Sequence, residues 1–121
     1  MKKIIINQAG VDLSVRSFDN PTLQAIDKAL PLTSAVMVWG DEIYCNIDVD
    51  APVQSLTADL AIGDVAYWPE DRCLCLFFGK TPLSVTEQPV PASKVIVIGH
   101  VDNLNLPALR SVGAGSTVRI C

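Results

Sequence analysis

The sequence predicts an all-β, closed eight-stranded barrel with two short covering helices, and three features of the 121-residue chain carry that prediction. Strand-like runs recur from end to end, bounded by Gly, Pro, Asn and Asp. Three of these runs are apolar on both faces, whereas an open one-layer sheet would show a clean alternation. Only two stretches carry helical spacing, and both have a proline where a first turn belongs. Eight strands suffice to close a barrel whose interior the side chains just fill, leaving helices to cover its openings.

In chain order, Lys3 to Asn7 and Val11 to Ser17 form the first two strands around a turn at Gly10. Asp19 or Asn20 then offers an N-cap and Pro21 a first helical position. Leu23, Ile26 and Leu30 recur at spacings of three and four until Pro31 ends the helix. Beyond it the period falls to two. Ala35 to Trp39, a Gly40-Asp41 turn and Glu42 to Val49 make the clearest half-buried hairpin, with Ile43, Cys45 and Ile47 alternating with Glu42, Tyr44, Asn46 and Asp48. A looser stretch leads to Asp64 to Trp68, a turn over Pro69-Glu70-Asp71-Arg72, and Cys73 to Phe78. Gly79 to Ser93 holds Pro82, Pro89 and Pro91 and is expected to lack regular structure. Lys94 to Val101 is a further strand, Leu106 to Val112 a short helix begun at Pro107, and Ser116 to Ile120 the last strand.

Composition narrows the function classes. Half of the residues are hydrophobic and 18% are charged, which fits one folded domain over residues 1–121 and excludes disorder. Nine basic against thirteen acidic side chains give a net charge of −4, the wrong sign for a phosphate backbone or an anionic leaflet. Neither nucleic acid nor a membrane is an expected partner. The opening Lys2-Lys3-Ile4-Ile5-Ile6 has too short an apolar run for a signal peptide, so a cytoplasmic location is expected, with Cys45, Cys73, Cys75 and Cys121 as thiols. Cys73 and Cys75 share a strand face, but their spacing is not that of zinc ligands in turns, and no metal or cofactor is expected.

The strings WGDEIY (Trp39 to Tyr44), IGDVAYWPEDRCLCLFFGKTP (Ile62 to Pro82) and PASKVIVIG (Pro91 to Gly99) resemble a family of small prokaryotic proteins of unassigned function described as cyclophilin-like. The resemblance implies a cyclophilin-type closed eight-stranded barrel with two capping helices. Prolyl isomerases of the cyclophilin family are a more distant comparison. Leu76-Phe77-Phe78 is similar to one of their strands, and by that likeness Phe78 would occupy the place of a proline-pocket phenylalanine. Their aromatic-His-Arg segment and Gln-Gly-Gly run have no counterpart, since the hairpin around Gly40 carries no arginine. A donor aimed at the prolyl nitrogen, which would weaken amide resonance, is therefore missing.

Six residues form the candidate ligand site. Trp39, Glu42 and Tyr44 lie on one hairpin, Glu42 and Tyr44 on the same strand face; they read either as a recognition patch or as a wet strand face with a tryptophan packed at its end. Trp68 and Phe78 flank the Pro69 turn on paired strands, as an aromatic pocket wall or as core. Lys80, just past a strand end, could meet an anionic ligand group, although Gly79-Lys80-Thr81 lacks the glycine spacing of a P-loop. Asp41, Glu42, Asp48 and Asp50 read as a solvated rim, without calcium-loop spacing. His100, the single histidine, reads as structural, and no serine sits in a Gly-x-Ser-x-Gly elbow. No catalytic residue is assigned. The expectation is a non-catalytic module for a small-molecule or peptide ligand, zwitterionic or peptide-like because a carboxylate and an amine share the patch. The alternative is a weak or unconventional peptidyl-prolyl isomerase, on fold-level analogy and Phe78.

Overall fold

The computed structural model describes residues 1–121 and contains nine strands and two α-helices. Strands β1 (Lys3–Ile6), β2 (Val11–Ser17), β3 (Leu32–Ala35), β4 (Met37–Val38), β5 (Glu42–Asn46), β6 (Asp64–Trp68), β7 (Cys73–Phe77), β8 (Ile96–Val101) and β9 (Thr117–Ile120) lie in the order β3-β9-β1-β2-β8-β6-β7-β5-β4. Every ladder is antiparallel.

The two ends of that order are consecutive in the chain. β3 and β4 are separated only by Val36, so Leu32–Val38 is one crossing segment that bonds to β9 with its first half and to β5 with its second. At the crossing, Val36 N–H donates to Ser116 O (2.8 Å) and its carbonyl accepts from Gly115 N–H (2.7 Å). Ser34 Oγ donates across to Asn46 O at 2.7 Å. The sheet is thereby bent into a nearly closed barrel. Counted as staves, the nine strands reduce to eight, because sequence periodicity sees one strand where hydrogen bonding changes partner midway. The expected strand started at Ala35 and missed Leu32 to Ser34, which follow Pro31 directly.

The barrel interior is filled by one cluster of 24 buried residues, among them Ile4, Leu13, Ile43, Val65, Tyr67, Leu74, Leu76, Ile98 and Ile120. Helix α1 (Pro21–Ala29) adds Leu23 and Ile26, and α2 (Leu106–Arg110) adds Leu109. Asn20, not Asp19, caps α1: its side chain accepts from Leu23 N–H at 2.8 Å, with Pro21 in the first turn where no N–H is needed. Asn105 caps α2 in the same way, accepting from Ala108 N–H at 3.2 Å. No helix is long and apolar enough to cross a membrane.

A second, smaller cluster lies on the outside of the wall. Leu60, Ala66, Cys73, Cys75, Phe77 and Val95 are buried there, with Tyr44, Trp68 and Val97 packed against them. This explains why strands in the middle of the chain are apolar on both faces, but the outer cover is not helical. It comes from irregular segments joined at an isolated bridge, where Thr57 N–H donates to Val95 O (2.8 Å) and Val95 N–H to Thr57 O (2.9 Å). The proline-containing loop satisfies its own polar groups. Buried Thr81 donates from Oγ1 to Val90 O at 2.6 Å, and its N–H donates to Ser84 Oγ at 2.9 Å.

Candidate functional site

Register on the outer face of β5, β7 and β6 dictates a hollow. Glu42 stands opposite Phe77, Tyr44 opposite Cys75, Cys75 opposite Ala66, and Trp68 opposite Cys73. The central strand thus sets the small thiols of Cys73 and Cys75 between the large rings of Tyr44 and Trp68, and adds its own ring, Phe77, to the lining. Tyr44 and Trp68 lean over the cysteines and meet edge to face, with centroids 6.3 Å apart and planes at 74°. The result is a cavity of about 230 Å³ lined by Trp39, Glu42, Tyr44, Trp68, Cys75 and Phe77, with Pro91, Ala92, Ser93 and Val95 from the covering segment.

The hairpin that brings Trp39 and Glu42 together is closed by reciprocal bonds, Trp39 N–H to Glu42 O (2.9 Å) and Glu42 N–H to Trp39 O (3.1 Å). Gly40 in the turn has φ +60°. The tip is anchored to the segment after β7: Asp41 N–H donates to Lys80 O (2.7 Å) and Phe78 N–H to Asp41 O (2.9 Å).

Glu42 is the chemically unusual member. It is 5% exposed, although its alternation with Ile43 and its acidic neighbours suggested a wet strand face. No lysine or arginine pairs with it, and no backbone N–H or hydroxyl donates to its carboxyl group. Burial pushes its pKa up to about 7, with the Cys75 thiol hydrogen-bonding to it and lowering it in part. Burial, with the Glu42 charge beside it, raises the Cys75 thiol well above its usual value. Tyr44 is raised too, by desolvation first and then by Glu42. The solvated-rim expectation therefore fails at Glu42, which lies in the cavity wall and not on an open strand face. It holds for Asp48 and Asp50, which are exposed, while half-buried Asp41 pairs with Arg110 at 3.3 Å.

Trp68 carries the single buried side-chain polar atom without a hydrogen-bond partner, its Nε1. An orphaned donor of this kind costs about 1–3 kcal/mol.

Of the six residues expected at the site, Trp39, Glu42, Tyr44 and Trp68 converge on the cavity and two do not. Phe78 is 2% exposed and belongs to the barrel interior. Side chains alternate faces along β7, so Phe77 points outward with Cys73 and Cys75 while Phe78 follows Leu74 and Leu76 inward. Lys80 is exposed and pairs with Glu87 at 3.4 Å, away from the cavity lining. Cys75, Phe77 and the Pro91–Ser93 turn were not anticipated. The small-large rhythm of Cys73-Leu74-Cys75-Leu76-Phe77 is the signal that could have found the first two.

The remaining candidates lie elsewhere. His100 Nδ1 is 3.0 Å from Asp64 Oδ1, and Asp64 Oδ2 accepts from Ala61 N–H at 2.8 Å, which ties β6 to β8. All four cysteines are free. No group of three or more His, Cys, Asp or Glu side chains converges as a metal site would require.

A cyclophilin-type barrel with an aromatic-walled cavity on its outer face is the class that this fold and site define. The Cyclophilin-like family profile matches residues 2–121, and the chain belongs to that family. A solved structure with the same architecture is the solution structure of a hypothetical protein from Archaeoglobus fulgidus, 34% identical, at a TM-score of 0.80 over 97% of this chain and 89% of that one. No curated protein matches the sequence.

Proposed function

We propose that the domain is a non-catalytic binding module whose outer cavity receives a small organic ligand. One observation carries the reading: Glu42 is a buried carboxyl group among four aromatic rings, with no protein cation to balance it. Buried carboxyl groups are normally paired, because an isolated one either stays protonated or bears a large desolvation penalty. A carboxyl left without a counter-charge beside space for a guest is suited to a partner that arrives from solution.

Catalytic pairings are not available around it. The only histidine is engaged with Asp64, and the raised Cys75 thiol is poorly disposed to form a thiolate. The alternative, prolyl isomerisation, loses its main support with Phe78 in the barrel interior, and no arginine lines the cavity.

Amide chemical-shift mapping with a library of small polar and apolar fragments tests the assignment. Shifts are expected first at Trp39, Glu42, Tyr44, Trp68 and Phe77. Fragments that cluster instead at the opposite end of the barrel, or that shift nothing, remove it.

A further inference from the structure

We infer that the cavity is a receptor for a small free organic cation, a tertiary or quaternary ammonium seated among the Trp39, Tyr44 and Trp68 rings with its charge against Glu42; this rests on reading the cavity as a binding site. The first ground is the sign of the site. With Lys80 turned away to Glu87, the lining contains one ionisable carboxyl group and no cation, so the zwitterionic guest expected from the sequence lacks a partner for its anionic end. What remains complementary is positive charge.

The second ground is the wall. The faces of tryptophan and tyrosine attract cations through the ring quadrupole, and two rings set nearly perpendicular, as Tyr44 and Trp68 are at 74°, offer the corner of an aromatic cage. Indole is the strongest such face, and both tryptophans of the chain line this cavity. The third ground is donor count. A primary ammonium brings three N–H groups and would have to engage nearly every side-chain acceptor of the lining at once, namely the Glu42 carboxyl and the hydroxyls of Tyr44 and Ser93. An alkylated nitrogen needs one acceptor or none. At about 230 Å³ the cavity falls below the roughly 300–1,000 Å³ of sites for drug-sized molecules, which fits a free molecule of metabolite size.

Binding of such a cation should be coupled to proton release from Glu42. The groups around that carboxyl are Tyr44 on its own strand and Cys73 and Cys75 on β7, all of them neutral at pH 8; β6 contributes uncharged Trp68, and the covering segment Ser93. With its pKa at about 7, Glu42 is ionised in about one molecule in ten at pH 6 and about nine in ten at pH 8. If the cation binds the ionised form, its apparent affinity should rise about tenfold over that interval.

Choline and its uncharged isostere 3,3-dimethylbutan-1-ol make the test, since they share shape and hydroxyl and differ in charge. Titration at fixed ionic strength, with sodium chloride exchanged for choline chloride, is read by tryptophan fluorescence and amide shifts. Choline is expected to bind at least tenfold tighter than the alcohol at pH 8 and about tenfold tighter at pH 8 than at pH 6. Glu42→Gln should remove the pH dependence and cut the preference for choline to what the aromatic faces alone supply. Equal or tighter binding of the alcohol at the same residues overturns the cation inference and leaves the cavity a binding site. Absence of any shift with choline also overturns it, and the fragment map then decides whether the binding reading falls with it.

Discussion

Tyr44 and Trp68 stand on strands that do not touch, β5 and β6, yet their rings are 6.3 Å apart across β7. They meet because β7 presents Cys73 and Cys75 between them, thiols too short to separate the rings. A strand with leucine at those positions would fill the hollow with its own side chains. The cavity thus follows from a pattern of side-chain sizes on three adjacent strands, and its chemistry from the single carboxyl group at its edge.

Glu42 should make the protein more stable in mild acid than in base. Its folded pKa, at about 7, lies above the ordinary carboxyl value, so the folded state holds a proton that the unfolded chain has given up between about pH 4.5 and 7. The contribution is fully present below the unfolded pKa and is lost as the pH rises through 7. Glu42→Gln removes the titrating group while keeping its shape. The variant should melt above the parent at pH 8, by up to about 3 kcal/mol in unfolding free energy, and close to it at pH 4. Thermal unfolding at the two pH values checks this, and a variant that melts lower at pH 8 would refute the buried, unpaired carboxyl.

The thiols should be inert in the native state. Burial raises Cys45 to about 12 and Cys73 to about 11, and burial together with the Glu42 charge raises Cys75 well above its usual value. Thiolate is the reacting species, so a disulfide reagent should label partly exposed Cys121 alone, and all four thiols only in denaturant. Since none is paired, adding a reductant should leave the melting temperature unchanged. A fall of several degrees would reveal a disulfide.

Four of the six expected site residues were legible because local rules suffice for them. Glu42 and Tyr44 share a face by the period of two, Trp39 joins them through a tight turn, and Trp68 ends a strand beside the same wall. Phe77 and Phe78 could not be told apart by hydrophobicity, since both faces of β7 are buried. Lys80 serves the hairpin with its backbone and not its amine, through the bond from Asp41 N–H, a role that residue type alone does not disclose. Glu42 shares its cavity with Pro91, Ala92, Ser93 and Val95, a segment about fifty residues further along the chain, and no local pattern encodes that approach. Likewise the two-faced apolarity of the central strands pointed to an outer cover but not to its irregular form.

Gly40→Ala should loosen the site through its hairpin. Gly40 combines φ +60° with a position where an added Cβ would lie 2.9 Å from both Lys80 O and Pro82 Cδ, so neither the backbone nor the neighbours tolerate the methyl group. A cost of about 1–3 kcal/mol is expected, together with altered fluorescence from Trp39. Gly113→Ala is the control, because nothing lies within 4 Å of its added Cβ, and it should change stability by no more than about 0.5 kcal/mol. Equal effects of the two substitutions would contradict the packing of the turn against Lys80 and Pro82.

Prolyl isomerisation should not be accelerated. The peptide barrier is about 18–20 kcal/mol, and a pocket that holds cis, trans and twisted proline equally well leaves it unchanged. Catalysis needs a group that favours the twisted amide alone, such as a cation aimed at its nitrogen. Arg16, Arg72 and Arg110 are each paired, with Asp102 (3.3 Å), Asp48 (3.2 Å) and Asp41 (3.3 Å), and exposed Arg119 lies on β9, a strand that contributes nothing to the cavity lining. Phe78→Ala is unsuitable as a probe, since removing a ring only 2% exposed should cost about 3–5 kcal/mol and report on folding instead. The informative measurement is cis/trans exchange on a panel of X-Pro peptides, set against the uncatalysed exchange of roughly 10–100 s. Rates equal to the uncatalysed ones are expected for the parent and for Glu42→Gln alike. Acceleration by the parent that Glu42→Gln abolishes would make the cavity an active site, with the protonated carboxyl as the donor to the prolyl amide.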